Sequence, residues 1–523
     1  MEMAMLDFLK QPLVATFLVL LVVWRLWTRS HASRRPLPPG PPGYPVIGNL
    51  LDMIAPGDPV RHYSNLAKQY GDMYLLGSLG ARVIILSSLK RTDDLLEKRS
   101  NVYSDRPWLP MMCGEMKYND YFSVMSYSPM WRKQRREFHA NFNQTVVDLY
   151  HPIILDERIG FVKALLSHPS NYSEHSKIYF TNIIITATYG IKPKGLDDPL
   201  VTKPNVTNDG FSIAGRTGAF LVDLVPWLTY VPEWMPGAGW KKVARYYRET
   251  GLESRVVPFK LIYDRYKQGI ATPCVATRMI ENLPDADDPS YEEAYKIAED
   301  SSGQVYVAAS DTSFSSAIAF FLVLSMYPEV QKRAQKEIDE VVGNGRLPDF
   351  NDRPQLVYLE ALIMELLRWH QPAPLAIAHS TSEDDVYEGY FIPKGTVVMG
   401  NIWHILHDPE TYPDPFTFNP DRFIKDGKIN PEVTNPEAVF GFGRRICPGQ
   451  YIAVDTLYVL ISSVLAVFDV SVPKDANGNP DIKPSFSIGL ICHPDPPKCS
   501  ITPRSDRHKE LIQNLLTSDP ANE

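Results

Sequence analysis

The stretch FGFGRRICPGQ, residues 440–450, places three glycines and two arginines around one of only five cysteines in a chain of 523 residues. Glycine lets the backbone turn tightly and approach a flat partner closely. The apolar run YIAVDTLYVLISSVLAVF, residues 451–468, predicts a buried helix that begins just past Cys447. Because backbone N–H groups and a helix N-terminus stabilise a thiolate, the stretch predicts a loop that presents Cys447 as an anionic ligand, with Arg445 as a fixed positive charge beside it.

A thiolate, a surface open to close approach and an arginine together suit a haem, with iron on the sulfur and a propionate on the guanidinium. Two other interpretations of these residues stay open. One is a buried structural cysteine in a glycine turn. The other is a dinucleotide-binding loop, since Gly441 and Gly443 form half of a GxGxxG pattern. That pattern fits less well, because Ile446 stands where the third glycine belongs and no clear strand precedes the loop.

The composition narrows the class of protein. A net charge of −8 and a hydrophobic content of 44% are ordinary for a globular protein and leave no basic footprint for nucleic acid. The five sparse cysteines argue against a disulfide framework and favour a reducing compartment. The sequence has no CxxC pair and no HExxH helix, so the common zinc motifs are missing.

The N-terminal segment differs in kind from the rest. Residues 8–27 match the roughly 20 apolar residues that cross a bilayer core, provided that Lys10 and Arg25 extend toward the headgroups. Basic residues follow this run, so the positive-inside rule predicts a luminal N-terminus and a cytosolic body. We predict a membrane anchor with its basic flank over residues 1–35; a cleaved signal peptide and a buried soluble helix are the alternatives.

The proline-rich segment PLPPGPPGYPVIG, residues 36–48, predicts a stiff extended hinge between membrane and globule, with a ligand for another protein as the alternative. Beyond it we predict one large catalytic domain over residues 49–504, mainly α with a minor β region. Helices are predicted at residues 300–327 and 356–369, and strands at residues 82–86 and within residues 389–400. The polar tail, residues 505–523, is predicted to fray.

The central motif resembles the haem-binding signature of the cytochrome P-450 superfamily. Phe440, Gly443, Arg445, Cys447 and Gly449 match every fixed position of that signature. The resemblance implies the cytochrome P-450 fold and haem b with Cys447 as axial metal ligand. Other stretches, including FLVDLVPWLTYVPEWMPGAGWKK, resemble the fungal secondary-metabolism branch similar to O-methylsterigmatocystin oxidoreductase.

The same resemblance assigns a structural triad to Glu365, Arg368 and Arg422, where Asp421 replaces the glutamate more common in the family. Taken alone, the spacing of Glu365 and Arg368 is more typical of a solvated surface pair on a helix.

Asp311 and Thr312 resemble the acid–alcohol pair that relays protons to dioxygen. The adjacent Ala309 replaces a frequent glycine, and its methyl group is expected to narrow the helix groove. The alternative for this stretch is a plain buried helix whose hydroxyl bonds its own backbone.

Two further stretches are assigned to the haem propionates by resemblance. Trp131 and Arg135 belong to a WxxxR helix, and His379 stands where relatives often have histidine or arginine; a turn residue is the alternative for His379. The neighbouring cations form either a reductase docking surface or a solvated basic face. These cations are Arg132, Lys133 and Arg136.

The resemblance implies a monooxygenase of the endoplasmic reticulum membrane that hydroxylates a lipophilic secondary metabolite. It implies electrons from NADPH through NADPH–cytochrome P-450 reductase, and a role for cytochrome b5 stays open. A terpenoid is the favoured substrate, with polyketides and indoles as alternatives. The segments expected to line the pocket are residues 105–125, 220–227, 373–377 and 486–490 and the helix of Ala308.

Two other functions stay open. A haem-thiolate isomerase or dehydratase needs neither dioxygen nor reductase, and a haem sensor needs no catalysis. The pair Asp311 and Thr312 disfavours both, since neither function requires a proton relay. Three N-x-S/T sequons, at Asn143, Asn171 and Asn205, are expected to be unglycosylated in a cytosolic body.

Overall fold

Helices dominate the part of the chain that the computed structural model describes, residues 35–54, 57–216, 218–473, 482–487 and 489–515. The α-helices are α1 (Leu50–Ile54), α2 (Pro59–Tyr70), α3 (Leu89–Thr92), α4 (Ser100–Tyr103), α5 (Pro129–Phe142), α6 (His151–Ser167), α7 (Tyr172–Tyr189), α8 (Pro199–Ala214), α9 (Leu221–Leu224), α10 (Trp240–Lys267), α11 (Val275–Glu281), α12 (Tyr291–Met326), α13 (Pro328–Val341), α14 (Val357–Trp369), α15 (Ile402–Leu406), α16 (Gln450–Val467) and α17 (Asp506–Asn514). Two π-helical turns, Asp93–Lys98 and Pro110–Glu115, and several short 3-10 turns complete the helical part. The predicted mainly α architecture is confirmed.

The β structure is small and divided among several sheets. The strands are β1 (Met73–Ser78), β2 (Ala81–Leu86), β3 (His379–Ser380), β4 (Asp385–Tyr387), β5 (Tyr390–Ile392), β6 (Val397–Gly400), β7 (Ile424–Lys425), β8 (Lys428–Ile429), β9 (Phe468–Ser471) and β10 (Ser500–Pro503). The largest sheet has the order β1-β2-β6-β3, with β2 and β6 parallel. The two strand-like runs predicted within residues 389–400 are present, but β5 pairs with β4 whereas β6 joins the large sheet.

The long helix α12 forms the centre of the molecule and packs against α5, α7, α10 and α16. Its 36 residues begin nine positions before the predicted start, at Tyr291. Both α12 and α16 are long and apolar enough to cross a membrane, yet 72% and 78% of their most apolar windows are buried inside the protein. Within the described residues these two helices therefore belong to the core.

A buried ion network fixes α10 against α12. Arg255 donates to Asp300 over 2.5 Å and to Asp120 over 3.1 Å. A Cβ on Gly303 would lie 2.4 Å from the Cγ of Arg255 and 3.0 Å from its Cα, so glycine lets the two helices approach. These contacts fix the position of α12, which lines the cavity at Cys447.

The chain ends depart from the sequence-based expectations. The predicted anchor lies outside the described residues, apart from Arg35. In the proline-rich segment residues 36–43 have no regular secondary structure, whereas residues 44–48 form a hydrogen-bonded turn, which departs from the predicted extended hinge. The segment is also fastened to the body, since the Leu75 N–H donates to the Pro39 carbonyl over 2.7 Å. The prediction that residues 505–523 fray is wrong for α17, because Ser505 caps this helix and Ile512 is buried.

Candidate active site

The loop before α16 brings the side chain of Cys447 to the wall of a cavity of about 310 Å³. The Cys447 N–H donates to the Phe440 carbonyl over 2.8 Å, which closes the turn. Gly443 has a φ of +57°, and a Cβ there would lie 2.1 Å from the Leu96 carbonyl oxygen. Gly443 therefore serves the packing of the loop against the turn Asp93–Lys98, whereas a Cβ at Gly449 would meet nothing closer than 4.0 Å.

The surroundings of Cys447 act on its thiol in opposite directions. Burial raises the pKa of the Cys447 thiol, while the Gly449 N–H and the charge of Arg135 lower it. The predicted backbone N–H donor is thus present, but the positive charge that acts on the thiol comes from Arg135 and not, as predicted, from Arg445. Burial outweighs both effects and keeps the proton on the isolated thiol. A metal cation reverses this preference, because a coordinating thiol is deprotonated outright.

Arg445 lies at one end of the cavity, between the backbone and an aromatic ring. Its guanidinium donates to the carbonyls of Ser104 over 2.8 Å, Phe122 over 3.0 Å and Met125 over 2.7 Å, and its Cζ lies 4.3 Å from the centre of the Trp131 ring. Burial lowers the pKa of Arg445 to about 9.

The other residues that the sequence assigns to the haem propionates lie at the same end of the cavity. The Trp131 indole N–H donates to the Phe122 carbonyl over 3.1 Å, and Arg135 donates to the Ile446 carbonyl over 2.6 Å. The Nδ1 of His379 lies 2.8 Å from the Tyr103 carbonyl, so this nitrogen carries the proton. Burial and neighbouring arginines hold the pKa of His379 well below its usual range.

Arg106 is a further buried cation at this end, and the sequence analysis did not assign it a role. It donates to the carbonyls of Ser123 over 2.9 Å, Ile377 over 2.5 Å and Ala378 over 2.8 Å. Burial lowers the pKa of Arg106, and the charge of Arg445 adds to that effect. The sequence signal was weak, because an arginine in a loop is usually solvated.

Asp311 and Thr312 reach the same cavity from α12. The Thr312 hydroxyl donates to the Ala308 carbonyl over 3.1 Å. The Asp311 Oδ2 lies 3.1 Å from the Nε2 of His493, a residue that the sequence analysis missed. No local motif links these two residues, since 182 positions separate them.

The cavity wall is mostly apolar and aromatic. Most of the predicted segments contribute to it, through Phe122, Ala308, Ala373 and Leu490 among others. The prediction for residues 220–227 is wrong within the described part of the chain, because none of them lines the cavity. Phe220 and Val222 instead pack behind its wall, in a cluster around Met111. Residues of α8 line the cavity instead, and these are Asn208, Phe211 and Ser212.

The predicted structural triad forms a buried ion cluster apart from the cavity. Arg368 makes two hydrogen bonds to Glu365, of 2.7 and 2.8 Å, and Arg422 makes two more, of 3.1 and 3.0 Å. Arg368 and Glu365 have no accessible surface, so a solvated surface pair is ruled out. Arg368 also donates to the Leu406 and Pro415 carbonyls, which ties α14 to the loop after α15.

Comparison with known proteins decides the family. The family model described as cytochrome P-450 matches residues 38–501. The chain belongs to the cytochrome P-450 family. The cytochrome P-450 monooxygenase COX2 of Coprinopsis cinerea is 43% identical over 488 residues, 92% of each chain. COX1 of the same fungus is 40% identical over 484 residues, 91% of this chain and 93% of the relative.

A third relative, the tryptamine 4-monooxygenase of Psilocybe cyanescens, is 35% identical over 491 residues, 93% of this chain and 96% of the relative. The predicted resemblance to fungal enzymes is confirmed, and this cytochrome P-450 is a monooxygenase.

Membership in the family implies a haem with a cysteine thiolate ligand, and the residues of the cavity fit such a group. The arginines at positions 106, 135 and 445 bring positive charge to one end, where a dianionic porphyrin edge needs it. Asp311 is the sole carboxylate among the described residues that line the cavity, and it is engaged by His493. The charge of Asp105, which does not line the cavity, acts on both Arg106 and Arg445, so among the described lining residues of this cytochrome P-450 no free carboxylate faces the cationic end.

Proposed function

We propose that the protein is a haem-thiolate monooxygenase that hydroxylates a lipophilic secondary metabolite, with a terpenoid as the favoured substrate. One observation carries the proposal. A single apolar cavity is lined by Cys447, by the cationic group of Arg135 and Arg445, and by Asp311 and Thr312. A thiol ligand, propionate donors and a proton source thus face the same space.

In this proposal the haem iron is bound by Cys447, and the haem supplies the activation of dioxygen and the abstraction of hydrogen from the substrate. Arg445 and Arg135 would donate to the propionates. The Trp131 indole N–H is taken by the Phe122 carbonyl, so this residue would act by holding Arg445 against its ring. His379 would donate through Nε2 once a propionate charges its ring. The contacts of His379 and Arg445 with backbone carbonyls support this role, because they fix each ring or guanidinium plane before the haem binds.

Asp311 and Thr312 are proposed to deliver protons. Hydroxylation consumes one dioxygen, two electrons and two protons, and yields the alcohol and one water. The Thr312 hydroxyl donates to the Ala308 carbonyl and not to Asp311, so it must turn toward its neighbour before it can pass a proton into the cavity and recover it from the Asp311 carboxyl group. The presence of this pair disfavours an isomerase, a dehydratase or a sensor, which would need no proton delivery.

The substrate proposal rests on the cavity wall. A wall of aromatic and aliphatic side chains suits a neutral lipophilic molecule. A cationic substrate such as an amine would lack a free carboxylate among the described lining residues, since Asp311 already pairs with His493. The buried Nδ2 of Asn208 has no hydrogen-bond partner among the described residues and can donate to one oxygen of the substrate.

An indole substrate is the second candidate, because a relative is named tryptamine 4-monooxygenase.

Electrons are proposed to come from NADPH through NADPH–cytochrome P-450 reductase, with cytochrome b5 as an open second donor. Arg132 and Arg444 both lie over the ring of Tyr127, with Cζ atoms 5.6 and 5.2 Å from its centre. Lys133 and Arg136 are exposed on the same helix, α5. Lys133 forms an ion pair with Glu293, so Arg132, Arg136 and Arg444 supply the positive surface beside the Cys447 loop, which supports docking of an acidic partner.

Attachment to the endoplasmic reticulum membrane through the N-terminal segment is also proposed, and exposed apolar residues near α9 support it. Leu221, Trp227, Tyr230 and Trp234 are exposed, and we call them the aromatic patch. A Cβ on Gly218 would lie 3.0 Å from Ile54, so the start of the body lies beside this region. Aromatic residues are enriched where proteins meet the membrane–water interface.

The first test is the absorption spectrum of the reduced protein with carbon monoxide. We expect the band characteristic of a thiolate-ligated haem, and its loss in Cys447→Ser. Cys499→Ser is the matched control, since Cys499 does not line the cavity. A thiolate band that survives in Cys447→Ser would refute the assignment of the ligand.

The second test is NADPH consumption with the reductase and a panel of oxygenated sesquiterpenes, polyketides and indoles. We expect hydroxylated product in proportion to NADPH for a terpene. Product without NADPH would indicate an isomerase or dehydratase, and no product with any compound would indicate a sensor.

A further inference from the structure

The segment formed by residues 486–487 and 489–494 folds back on itself and lies against α12. Phe486 and Pro494 form an antiparallel β-bridge. The Ser487 N–H donates to the His493 carbonyl over 2.8 Å, and the His493 N–H donates to the Ser487 hydroxyl over 2.9 Å. The backbone of His493 is therefore fixed on both sides.

Two neighbouring residues of this segment contact the same face of α12. The Ser315 hydroxyl donates to the Cys492 carbonyl over 2.6 Å, and the His493 Nε2 lies 3.1 Å from the Asp311 Oδ2. Residues four apart on a helix share a face, so Asp311 and Ser315 meet Cys492 and His493 side by side. The Cys492 N–H also donates to the Pro372 carbonyl over 2.7 Å.

The attachment of the segment does not depend on the imidazole. The bonds of Cys492 to Ser315 and Pro372 already hold the backbone against the helix. A carboxylate that serves only as a structural partner of His493 would add little to this attachment. The contact between Asp311 and His493 instead joins a group that faces the cavity to a ring that does not line it.

The ring of His493 is arranged for proton transfer. Its Nε2 faces the Asp311 carboxylate, and its Nδ1 has no hydrogen-bond partner among the described residues. A neutral imidazole with a proton on Nε2 can take up a second proton on Nδ1 without losing an existing hydrogen bond. The side chain is 28% accessible, but Nδ1 itself is buried, so a proton reaches Nδ1 through a water molecule that enters beside this unpartnered atom.

Other titratable groups also act near this pair from the surrounding helices. Asp209 on α8 interacts electrostatically with Asp311 and with Lys177 of α7. Tyr306, one turn earlier on α12, is likewise influenced by Asp311, and His370 after α14 by His493. Burial lowers the pKa of His370 to about 3, so this second histidine stays neutral and does not compete as a proton source.

We propose that His493 is a positioning residue that hands protons from solvent to Asp311, a role that rests on the proposed function. The protonated imidazole releases the proton of Nε2 to the Asp311 Oδ2. Asp311 then reprotonates the Thr312 hydroxyl after that hydroxyl has given its proton into the cavity. The ring returns to its starting tautomer by exchange with water, so each cycle moves one proton inward and changes no oxidation state.

The first experiment reads the ring directly. Holoenzyme labelled with ¹⁵N-histidine, reduced and bound by carbon monoxide, is compared with Asp311→Asn by NMR. We expect His493 to carry its proton on Nε2 in the native protein and to show a shifted Nε2 resonance in Asp311→Asn. A neutral ring protonated only on Nδ1, or an unchanged resonance, overturns the proposal whatever the substrate is.

The second experiment measures coupling in His493→Gln, whose amide can still donate to Asp311 but cannot shuttle protons. The readouts are product formed per NADPH, the solvent deuterium isotope effect and rescue by added imidazole, with a substrate accepted in the NADPH-dependent screen. Ser315→Ala is the control, because it loosens the segment and leaves the imidazole in place. The carbon monoxide band is recorded for each variant, so a failure of haem binding is distinguished from a failure of proton delivery.

We expect product per NADPH to fall about tenfold in His493→Gln. This loss is smaller than the roughly 100- to 10,000-fold that general acid–base groups contribute to rates, because water supplies a slower route for the proton. We also expect a larger isotope effect and partial rescue by imidazole. Native coupling in His493→Gln, or an equal loss in Ser315→Ala, would reduce His493 to a structural residue.

Discussion

Glu365 shows how single residues support this fold, because its carboxylate has no accessible surface. Two guanidinium groups, from Arg368 and Arg422, supply four hydrogen bonds to it. Such a cluster gives little net stability relative to an apolar core, but removal of one partner strands a buried charge. The loss of unfolding free energy on removal of one partner is therefore expected to be much larger in this cluster than in an ion pair at the surface.

Arg368→Ala is expected to destabilise the protein by about 3–5 kcal/mol, since it leaves the buried Glu365 with only Arg422 and the Asn419 N–H as partners. Arg333→Ala is the matched control, because Arg333 pairs with Asp421 at the surface and both side chains are about half exposed. The control should cost at most about 1 kcal/mol. Urea unfolding followed by tryptophan fluorescence measures both, and equal losses would contradict the argument.

At the residue scale, the sequence predicts what local motifs encode. Cys447, Arg445 and the pair Asp311 and Thr312 all line the cavity, as the motifs indicated. Arg106 and His493 were missed, since their importance comes from contacts between segments far apart in sequence. No hydrophobic periodicity and no motif spacing in the sequence identifies such residues.

At the scale of elements, strongly apolar helices were predicted well and polar ones were not. The helices α14 and α16 begin within one residue of their predicted starts, because their burial makes nearly every position apolar. The first turns of α12 are polar and carry Glu292 and Glu293, so periodicity alone did not reveal them. The helix α17 was missed for the same reason, since its burial depends on only a few side chains such as Ile512.

Gly303 gives a prediction about the packing of α10 on α12. Gly303→Ala should destabilise the protein, because the new Cβ would lie 3.0 Å from the Cα of Arg255 and would push the two helices apart. Overpacking of this kind typically costs about 1–3 kcal/mol. The loss should appear as a lower unfolding midpoint and as faster hydrogen exchange in both helices.

The control for Gly303 is Gly160→Ala on α6, where a Cβ would meet nothing within 4 Å. There the substitution should stabilise the protein by up to about 1 kcal/mol, since alanine favours a helix over glycine. Opposite signs for two identical substitutions would support the packing argument. A stabilised Gly303→Ala would refute it.

At the scale of the whole molecule, buried neutral histidines make stability depend on pH. Burial lowers the pKa of His407 to about 3, with the charge of Arg368 adding to the effect. Burial likewise lowers the pKa of His370 to about 3. A histidine whose pKa is depressed in the folded state stabilises the fold above its unfolded pKa, and this contribution is lost as pH falls from about 6.5 toward 3.

His407→Gln should weaken this acid sensitivity, because an amide does not titrate and can still donate to the Trp403 carbonyl that His407 contacts. The stability of the native protein relative to this variant should fall by about 1.4 kcal/mol per pH unit below about 6. Urea unfolding between pH 5 and 8 measures the slope. Parallel curves for the two proteins would show that His407 titrates normally in the folded state.

The positions of the charged and aromatic surfaces on the whole molecule give a last prediction, which concerns membrane binding. The positive surface of Arg132, Arg136 and Arg444 lies beside the Cys447 loop, while the aromatic patch follows α8, whose residues line the cavity. In a chain that starts at residue 36, replacement of Trp227, Tyr230 and Trp234 by serine should lower vesicle binding about 100-fold. The estimate assumes about 1 kcal/mol for each partly buried aromatic side chain.

Ile270→Ser controls for exposure alone, since Ile270 is 65% exposed but follows the far end of α10, about 40 Å from Trp240 by the helical rise. Flotation of neutral phosphatidylcholine vesicles measures binding, and uncharged lipid excludes attraction to the basic surface. Binding that stays unchanged in the triple variant would show that the aromatic patch faces water. If vesicle binding falls equally in Ile270→Ser, the aromatic patch has no special role in binding. A patch that inserts into lipid must matter because of where it lies on the molecule, so an exposed apolar residue elsewhere should contribute less.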